Sequence, residues 1–279
     1  MPADVVQRYC LELEDARGPK PVKAIESLFR TRYAPLAEAI HRGLRDDRAM
    51  DVVEEWRDTF EHSYREGFNT MKVTGRRPTM VLDAPEVAAR IGKLNGARTV
   101  QLLLVDAMRY DLGQMVQAEL KHHLASHAVC VEETLMWSAL PAVTPVQMRL
   151  LARGAAGLKD PEPQSERDPI IQRDGSVTTM RRVRIGHRDL VKLDVVEARL
   201  REAGRGYHAR LSALAEEVSD VIASYTESLP PKTLLFIFGD HGFTMPIEGP
   251  NATGPAEQGG ATPEEVLVGG WAWLVGDAH

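Results

Sequence analysis

Cysteine is almost missing from this chain: Cys10 and Cys130 are the only two in 279 residues. They form no C-x-x-C pair, so a disulfide framework is excluded and free thiols in a reducing, cytoplasmic compartment are expected. Aromatic residues amount to only 6%, and aliphatic packing is therefore expected to dominate the interior. The longest apolar runs have the length of strands, and the opening Met-Pro-Ala-Asp-Val-Val-Gln-Arg has no apolar stretch like that of a signal peptide. Neither a membrane span nor a secretion signal is expected. Positive charge is not in excess either. A formal net charge of -6 and a pI near 5.9 argue against broad electrostatic wrapping of nucleic acid, although a local basic patch would still be compatible with holding a phosphodiester. What remains is 43% hydrophobic and 27% charged residues, enough for one large α/β domain with an added helical segment.

From residue 3 to about 70 the apolar side chains recur at three and four: Val22, Ile25, Leu28 and Phe29, then Val52, Val53, Trp56 and Phe60. These spacings predict amphipathic helices, with Pro35 kinking or splitting one of them. Lys72 to Pro78 is basic and aperiodic and reads as a linker, which sets a helical segment over 1–78 and a second domain over 79–279. A short helix is expected to start at Asp83 or Ala84 with Pro85 in its first turn. Thr99 to Val105 and Thr233 to Phe238 are apolar without clean alternation, as expected of central strands covered on both faces. Helical spacing between them, from about Leu112, from Thr144 to Gly154 and from about Val195 to Tyr225, predicts a mostly parallel sheet with helices on both faces. Weaker strand signals lie at 128–131 and 183–186. Lys159 to Gly175 reads as a surface excursion, and the alternate spacing of Trp271 and Trp273 places both on one face of a strand.

In open α/β sheets, ligand-binding residues collect beyond the carboxyl ends of strands. Asp106 follows the first apolar run, and Asp240 follows the second within Gly239-Asp240-His241-Gly242, where flanking glycines permit a sharp turn. A carboxylate beside an imidazole suits zinc or manganese better than calcium or magnesium. The same aspartates would serve equally as caps of the turns that follow. Thr144 has two readings as well. With Pro145 and Gln147 it matches a capping box at a helix start, yet a hydroxyl at that position also faces backbone N–H groups suited to a phosphate. Bound to a metal, it would become a nucleophile toward phosphorus.

Four motifs in order carry a resemblance: Leu-Leu-Leu-Val-Asp106-Ala-Met-Arg109-Tyr110-Asp111, Leu-Pro-Ala-Val-Thr144-Pro-Val-Gln-Met, Phe-Ile-Phe-Gly-Asp240-His241-Gly, and Gly259-Gly260-Ala-Thr-Pro-Glu264-Glu265-Val-Leu-Val. Over about residues 98 to 270 the sequence resembles the PglZ domain of the alkaline phosphatase superfamily. The resemblance implies an alkaline-phosphatase-like fold and a metal-dependent phosphohydrolase acting on a phosphodiester or phosphomonoester. It implies one metal on Asp106, Thr144, Asp240 and His241, with Thr144 as nucleophile, and Arg109 is a candidate to orient a phosphate oxygen, or else a surface ion-pair partner. For a second metal the matching stretch is His187-Arg-Asp189-Leu-Val-Lys-Leu-Asp194, with Asp189 the preferred ligand and Asp194 the alternate. The family's later histidine is replaced here by Gln258, a weak ligand, which leaves the second site incomplete; His208 and His279 read instead as a solvated helix face and a terminal tail. Ala142 is a further departure, standing where such domains often carry Thr. The resemblance also implies partners in a BREX-type phage defence assembly, and a module with reduced catalysis kept as a binding or scaffold component is the alternative expectation.

Overall fold

The computed structural model describes residues 1–16, 18, 20–159, 180–203, 207–244 and 257–276, with side chains described outside 200–210. Among these residues no helix is long and apolar enough to cross a membrane. The expected surface excursion at 159–175 lies, past Lys159, outside the described residues.

The N-terminal third is helical: α1 (Ala3–Glu14), α2 (Val22–Leu28), α3 (Ala34–His41) and α4 (Asp47–Thr74). Pro35 splits the second helical run as expected. The chain passes from α2 to α3 through one π-helical turn, Phe29–Tyr33, with the proline in the first turn of α3, where its missing N–H is not needed. Asp46 caps α4 by accepting from the Ala49 N–H at 2.9 Å, and Gly75 closes it at φ 70°. The linker thus begins three residues later than the composition suggests. These helices share a core with the rest of the chain: Phe29, Tyr33, Phe60, Tyr64 and Phe68 pack in one cluster with Trp137, Leu150, Val266 and Leu267. Aromatic rings stack along it, Trp56 on Phe60 at 5.6 Å and Phe60 on Trp137 at 5.5 Å. Aromatic rings are not confined to this cluster: the sheet buries Phe236, Phe238, Trp271 and Trp273, so the interior is less purely aliphatic than composition suggests.

After α5 (Ala84–Leu94) the chain alternates: β1 (Thr99–Val105), α6 (Tyr110–His123), β2 (Ala128–Trp137), α7 (Thr144–Arg153), β3 (Met180–Ile185), β4 (Arg188–Leu193), α8 (Val196–Ala203), α9 (Tyr207–Glu227), β5 (Thr233–Gly239), α10 (Pro263–Val266) and β6 (Leu267–Val275). The strands form one mixed sheet in the order β2-β6-β5-β1-β4-β3. Its centre, β5-β1-β4, is parallel, and β6 and β3 run against their neighbours. Side-chain alternation along β1 explains the two covered faces. Leu103 and Val105 point to one side, where α6 and α9 bring Leu112, Val116, Val218 and Ile222. Leu102 and Leu104 point to the other, where α5 supplies Ala84, Ala88 and Ile91. β6 buries Trp271 and Trp273 on the first of these faces.

Two strands differ from expectation. β2 extends to Trp137, well past Val131: its polar middle is held by pairing with β6, and its end buries Leu135 and Trp137 against the N-terminal helices. β4 is a strand where the sequence resembles a ligand-bearing motif, and it pairs with β3 as a hairpin turning at Gly186, φ 59°.

Candidate metal centre

The parallel centre of the sheet determines what meets what. Val105 is level with Leu193 of β4 and with Gly239 of β5, so the next residue of each strand is an aspartate: Asp194, Asp106 and Asp240, side by side at the carboxyl edge. Three adjacent carboxylates repel one another and require cations between them. The Asp106 and Asp240 side chains are buried, and so is His241.

Asp240 is fixed by the backbone that bends around it. Its Oδ1 accepts from the Ala107 and His241 N–H groups, both at 3.0 Å. Ala107 has φ 54°, an uncommon conformation for a residue with a Cβ, held here by that bond. The glycines around the pair are required by contact: a Cβ on Gly239 would lie 2.5 Å from the Met108 carbonyl oxygen, and one on Gly242 would lie 1.9 Å from that of Glu264. Gly242→Ala is accordingly expected to force the backbone apart, costing about 1–3 kcal/mol or more of stability. Urea denaturation measures this, and an unchanged midpoint would contradict it.

His241 donates Nδ1–H to the Gly242 carbonyl at 2.8 Å, since a carbonyl can only accept. This leaves Nε2 facing inward, 3.8 Å from Asp240 Oδ2 and 3.9 Å from Asp106 Oδ1. An imidazole tethered through one nitrogen to a backbone carbonyl, with the other turned toward carboxylates, is the orientation found in metal-ligating histidines.

Thr144 completes the group. It does not cap α7, whose N-cap is Val143, and Gln147 does not form a capping box with it. Gln147 instead bonds the Ala139 backbone, accepting from its N–H at 3.0 Å and donating to its carbonyl at 2.8 Å. The Thr144 hydroxyl, half-buried, donates to Asp106 Oδ1 at 2.7 Å and lies 3.0 Å from His241 Nε2. The capping reading of Thr144 is thus corrected by tertiary partners.

Counting protons shows why a cation fits. Four acceptor atoms converge here: Asp106 Oδ1, Asp240 Oδ2, His241 Nε2 and Thr144 Oγ1. The single hydroxyl proton satisfies one of them. Asp240 Oδ2 is buried and has no hydrogen-bond partner among the described residues, a costly condition for a carboxylate oxygen. Asp106, Asp240 and His241, whose ligand atoms lie within 4.8 Å of one another, could hold a metal ion.

The residue that sequence reasoning overlooked is Lys192. Buried on β4, it donates Nζ–H to Asp106 Oδ2 at 2.7 Å and also to Asp194 Oδ1. Burial opposes its charge, but Asp106 and Asp194 outweigh burial and hold the ammonium above the ordinary lysine pKa. Asp194 also pairs with Arg181 at 2.7 Å. Asp189, the preferred second ligand, belongs elsewhere: it sits at the opposite end of β4, exposed, 3.8 Å from Arg184. Gln258 is exposed, and His279 and the His208 side chain lie outside the described residues. A further support reaches the site from the N-terminal helices. The Tyr64 hydroxyl donates to the Ser138 carbonyl at 2.6 Å, and Ser138 Oγ donates to the Asp240 carbonyl at 2.6 Å.

Arg109 is buried, forked onto Asp111 with Nε–Oδ1 at 2.7 Å, and stacked 4.9 Å from the centre of the Phe243 ring. Burial alone would raise the Asp111 carboxyl, but the Arg109 guanidinium outweighs it and holds the pKa below the usual value. A depressed folded-state pKa stabilises the fold above the unfolded carboxylate range, and that contribution is lost as pH falls through the folded value. Asp111→Asn is therefore expected to destabilise the protein near neutral pH and progressively less in acid, as followed by denaturation across pH. A difference that grows in acid would contradict the pairing. One cavity of about 970 Å³, lined by Arg30, Glu38, Tyr110, Gln114 and Glu133, lies against the N-terminal helices, and none of the four converging residues lines it.

Compared with known proteins, the chain matches no family model and shows no significant match to a curated protein.

Proposed function

We propose that the protein is a metal-dependent phosphohydrolase in which Thr144 attacks the phosphorus of a phosphate ester. One observation carries this reading: a threonine hydroxyl that caps no helix is hydrogen-bonded to a buried carboxylate and lies 3.0 Å from a buried imidazole nitrogen, and these groups form, with the unpartnered Asp240 Oδ2, a cation-binding set. Zinc or manganese suits two carboxylates and an imidazole, and the order of motifs resembles that of a PglZ domain of the alkaline phosphatase superfamily. When bound, the ion would supply positive charge that lowers the pKa of the hydroxyl and neutralises charge on the phosphoryl oxygens.

The chain's own groups account for the rest. Asp106 Oδ1 accepts the Thr144 hydroxyl hydrogen, which leaves the lone pairs of the half-buried Thr144 oxygen free to attack. Attack forms a bond from Thr144 Oγ1 to phosphorus as the bond to the ester oxygen breaks; that oxygen keeps the electron pair and takes a proton from water, while the hydroxyl proton is lost to solvent by way of Asp106 Oδ1. Water then cleaves the phosphothreonine, returning the hydroxyl and releasing phosphate from a monoester or a monoester from a diester. His241, held by Gly242, and Asp240, held by two backbone N–H groups, are preorganised and need not rearrange during the reaction.

The test is hydrolysis of bis-p-nitrophenyl phosphate and p-nitrophenyl phosphate by protein loaded with zinc or manganese. Turnover that requires the ion supports the reading, and the ratio of the two rates assigns the ester class. Ion binding without turnover of either ester would instead favour a binding or scaffold module with reduced catalysis.

A further inference from the structure

The three aligned aspartates create two intervals, one between Asp240 and Asp106 and one between Asp106 and Asp194, and each requires positive charge. Only the first leaves a buried carboxylate oxygen without a partner. The second is bridged by Lys192, whose Nζ reaches Asp106 Oδ2 at 2.7 Å and also bonds Asp194 Oδ1. Sites that act on phosphate esters commonly place two divalent ions about 3.5–4 Å apart between bridging carboxylates. Here the two oxygens of Asp106 face different ways, Oδ1 toward Thr144 and His241 and Oδ2 toward the lysine.

We propose that Lys192 is the permanent second cation of this centre, standing where a second divalent ion would otherwise bridge Asp106 and Asp194, so that the protein takes one metal ion per chain. The proposal rests on the metal-dependent reading above. It explains the register: a lysine on β4, two residues before the strand-end Asp194, has a stem just long enough to run along its own strand and place its ammonium at the carboxyl edge. It also explains why a lysine is tolerated among Leu190, Val191 and Leu193, all buried. Two carboxylates satisfy an ammonium that would be costly there by itself. The charges balance in the same way. Three carboxylates stand against one ammonium and one divalent ion, with Arg181 compensating the outer oxygen of Asp194. A lysine-filled position cannot exchange, so stoichiometry is fixed by the chain and not by metal supply.

The direct experiment is equilibrium dialysis of the full chain against manganese or zinc, with metal counted by mass spectrometry. Wild type and Lys192→Arg are expected to bind one ion. Lys192→Ala, which frees Asp106 Oδ2 and Asp194 Oδ1, is expected to bind two, the second more weakly. Should that variant not fold, Lys192→Met keeps the bulk of the stem, removes the charge and carries the same expectation. Two ions in wild type, or one ion in a folded Lys192→Ala or Lys192→Met at manganese concentrations far above the first dissociation constant, would overturn the proposal while leaving the metal-dependent reading standing. No ion in wild type would overturn both. Asp240→Asn with Lys192→Ala separates the positions further: the double variant is expected to retain only the weaker ion.

Discussion

Replacing Thr144 with alanine is expected to lower phosphate ester turnover by at least about a thousandfold while the ion still binds. Loss of a nucleophile from a catalytic constellation removes most of the rate enhancement, and the residual catalysis comes from the groups that still bind and polarise the substrate. The Thr144 side chain is half-buried at the start of α7 and caps nothing, so its removal leaves no helix terminus unsatisfied. Asp106 Oδ1 loses one hydrogen bond, His241 Nε2 loses a neighbour it was not bonded to, and both residues keep their anchors to Lys192 and Gly242. Stability should therefore change little, and zinc or manganese should still bind through Asp106, Asp240 and His241, more weakly by the one neutral ligand that water replaces. Thr144→Ser, which keeps the hydroxyl, should recover a measurable part of the rate. Steady-state hydrolysis of bis-p-nitrophenyl phosphate checks both variants. Undiminished turnover in Thr144→Ala would mean that water, not this hydroxyl, attacks phosphorus.

Asp240→Asn has the second large effect, on metal binding itself. Alanine would be an ambiguous substitution, because the Ala107 and His241 N–H groups would both lose the acceptor Oδ1, each at about 1–3 kcal/mol. Asparagine retains that oxygen and replaces only Oδ2, the atom without a partner, with an amide NH2 whose hydrogens face Asp106 and His241. The metal-free variant should be as stable as metal-free wild type, or more so, since a repulsive carboxylate has been removed. Divalent-ion affinity should fall by more than the ten- to hundredfold that altering a metal ligand's outer partners costs, hence by roughly a hundredfold or beyond. At a metal concentration about one hundred times the wild-type dissociation constant, wild type gains about 2.7 kcal/mol from binding. For a chain of this size that is a rise on the order of 5 °C in melting temperature. Asp240→Asn should gain no more than about 0.4 kcal/mol, a rise of less than about 1 °C, at the same concentration. Calorimetric titration and thermal unfolding read the two effects separately, and an equal rise in both proteins would place the ion elsewhere.

Much of this site is legible in the sequence because its signals are local. An apolar strand-length run that ends in aspartate identifies β1 with Asp106 and β5 with Asp240, and central parallel strands bring their carboxyl ends together. Thr144 is legible as a position and ambiguous as a role: the same residues that open a helix match a capping box, and only the approach of Asp106 and His241, distant in the chain, decides which use wins. Lys192 is hidden for a related reason. A lysine in a short strand usually marks a solvated face, and its burial depends on an aspartate 86 residues away. Had Arg188–Leu193 been read as a parallel strand, the choice between Asp189 and Asp194 would have followed, because only the residue after the strand lies at the same edge as Asp106 and Asp240. The buried flank Leu190, Val191 and Leu193 is the signal that would have identified it. The N-terminal helices were readable from periodicity, whereas the line from Tyr64 through Ser138 to Asp240 was not, since hydroxyl-to-carbonyl bonds leave no pattern in sequence.

The central claim is that one divalent ion on Asp106, Asp240 and His241, beside the fixed charge of Lys192, activates Thr144 toward phosphorus. Its most direct test is to titrate metal-free protein with manganese or zinc while recording hydrolysis of bis-p-nitrophenyl phosphate and p-nitrophenyl phosphate. Turnover of at least one ester is expected to appear with the ion and to saturate at one equivalent per chain. Turnover of neither ester at any metal concentration, turnover that needs no metal, or saturation only at two equivalents would contradict the claim.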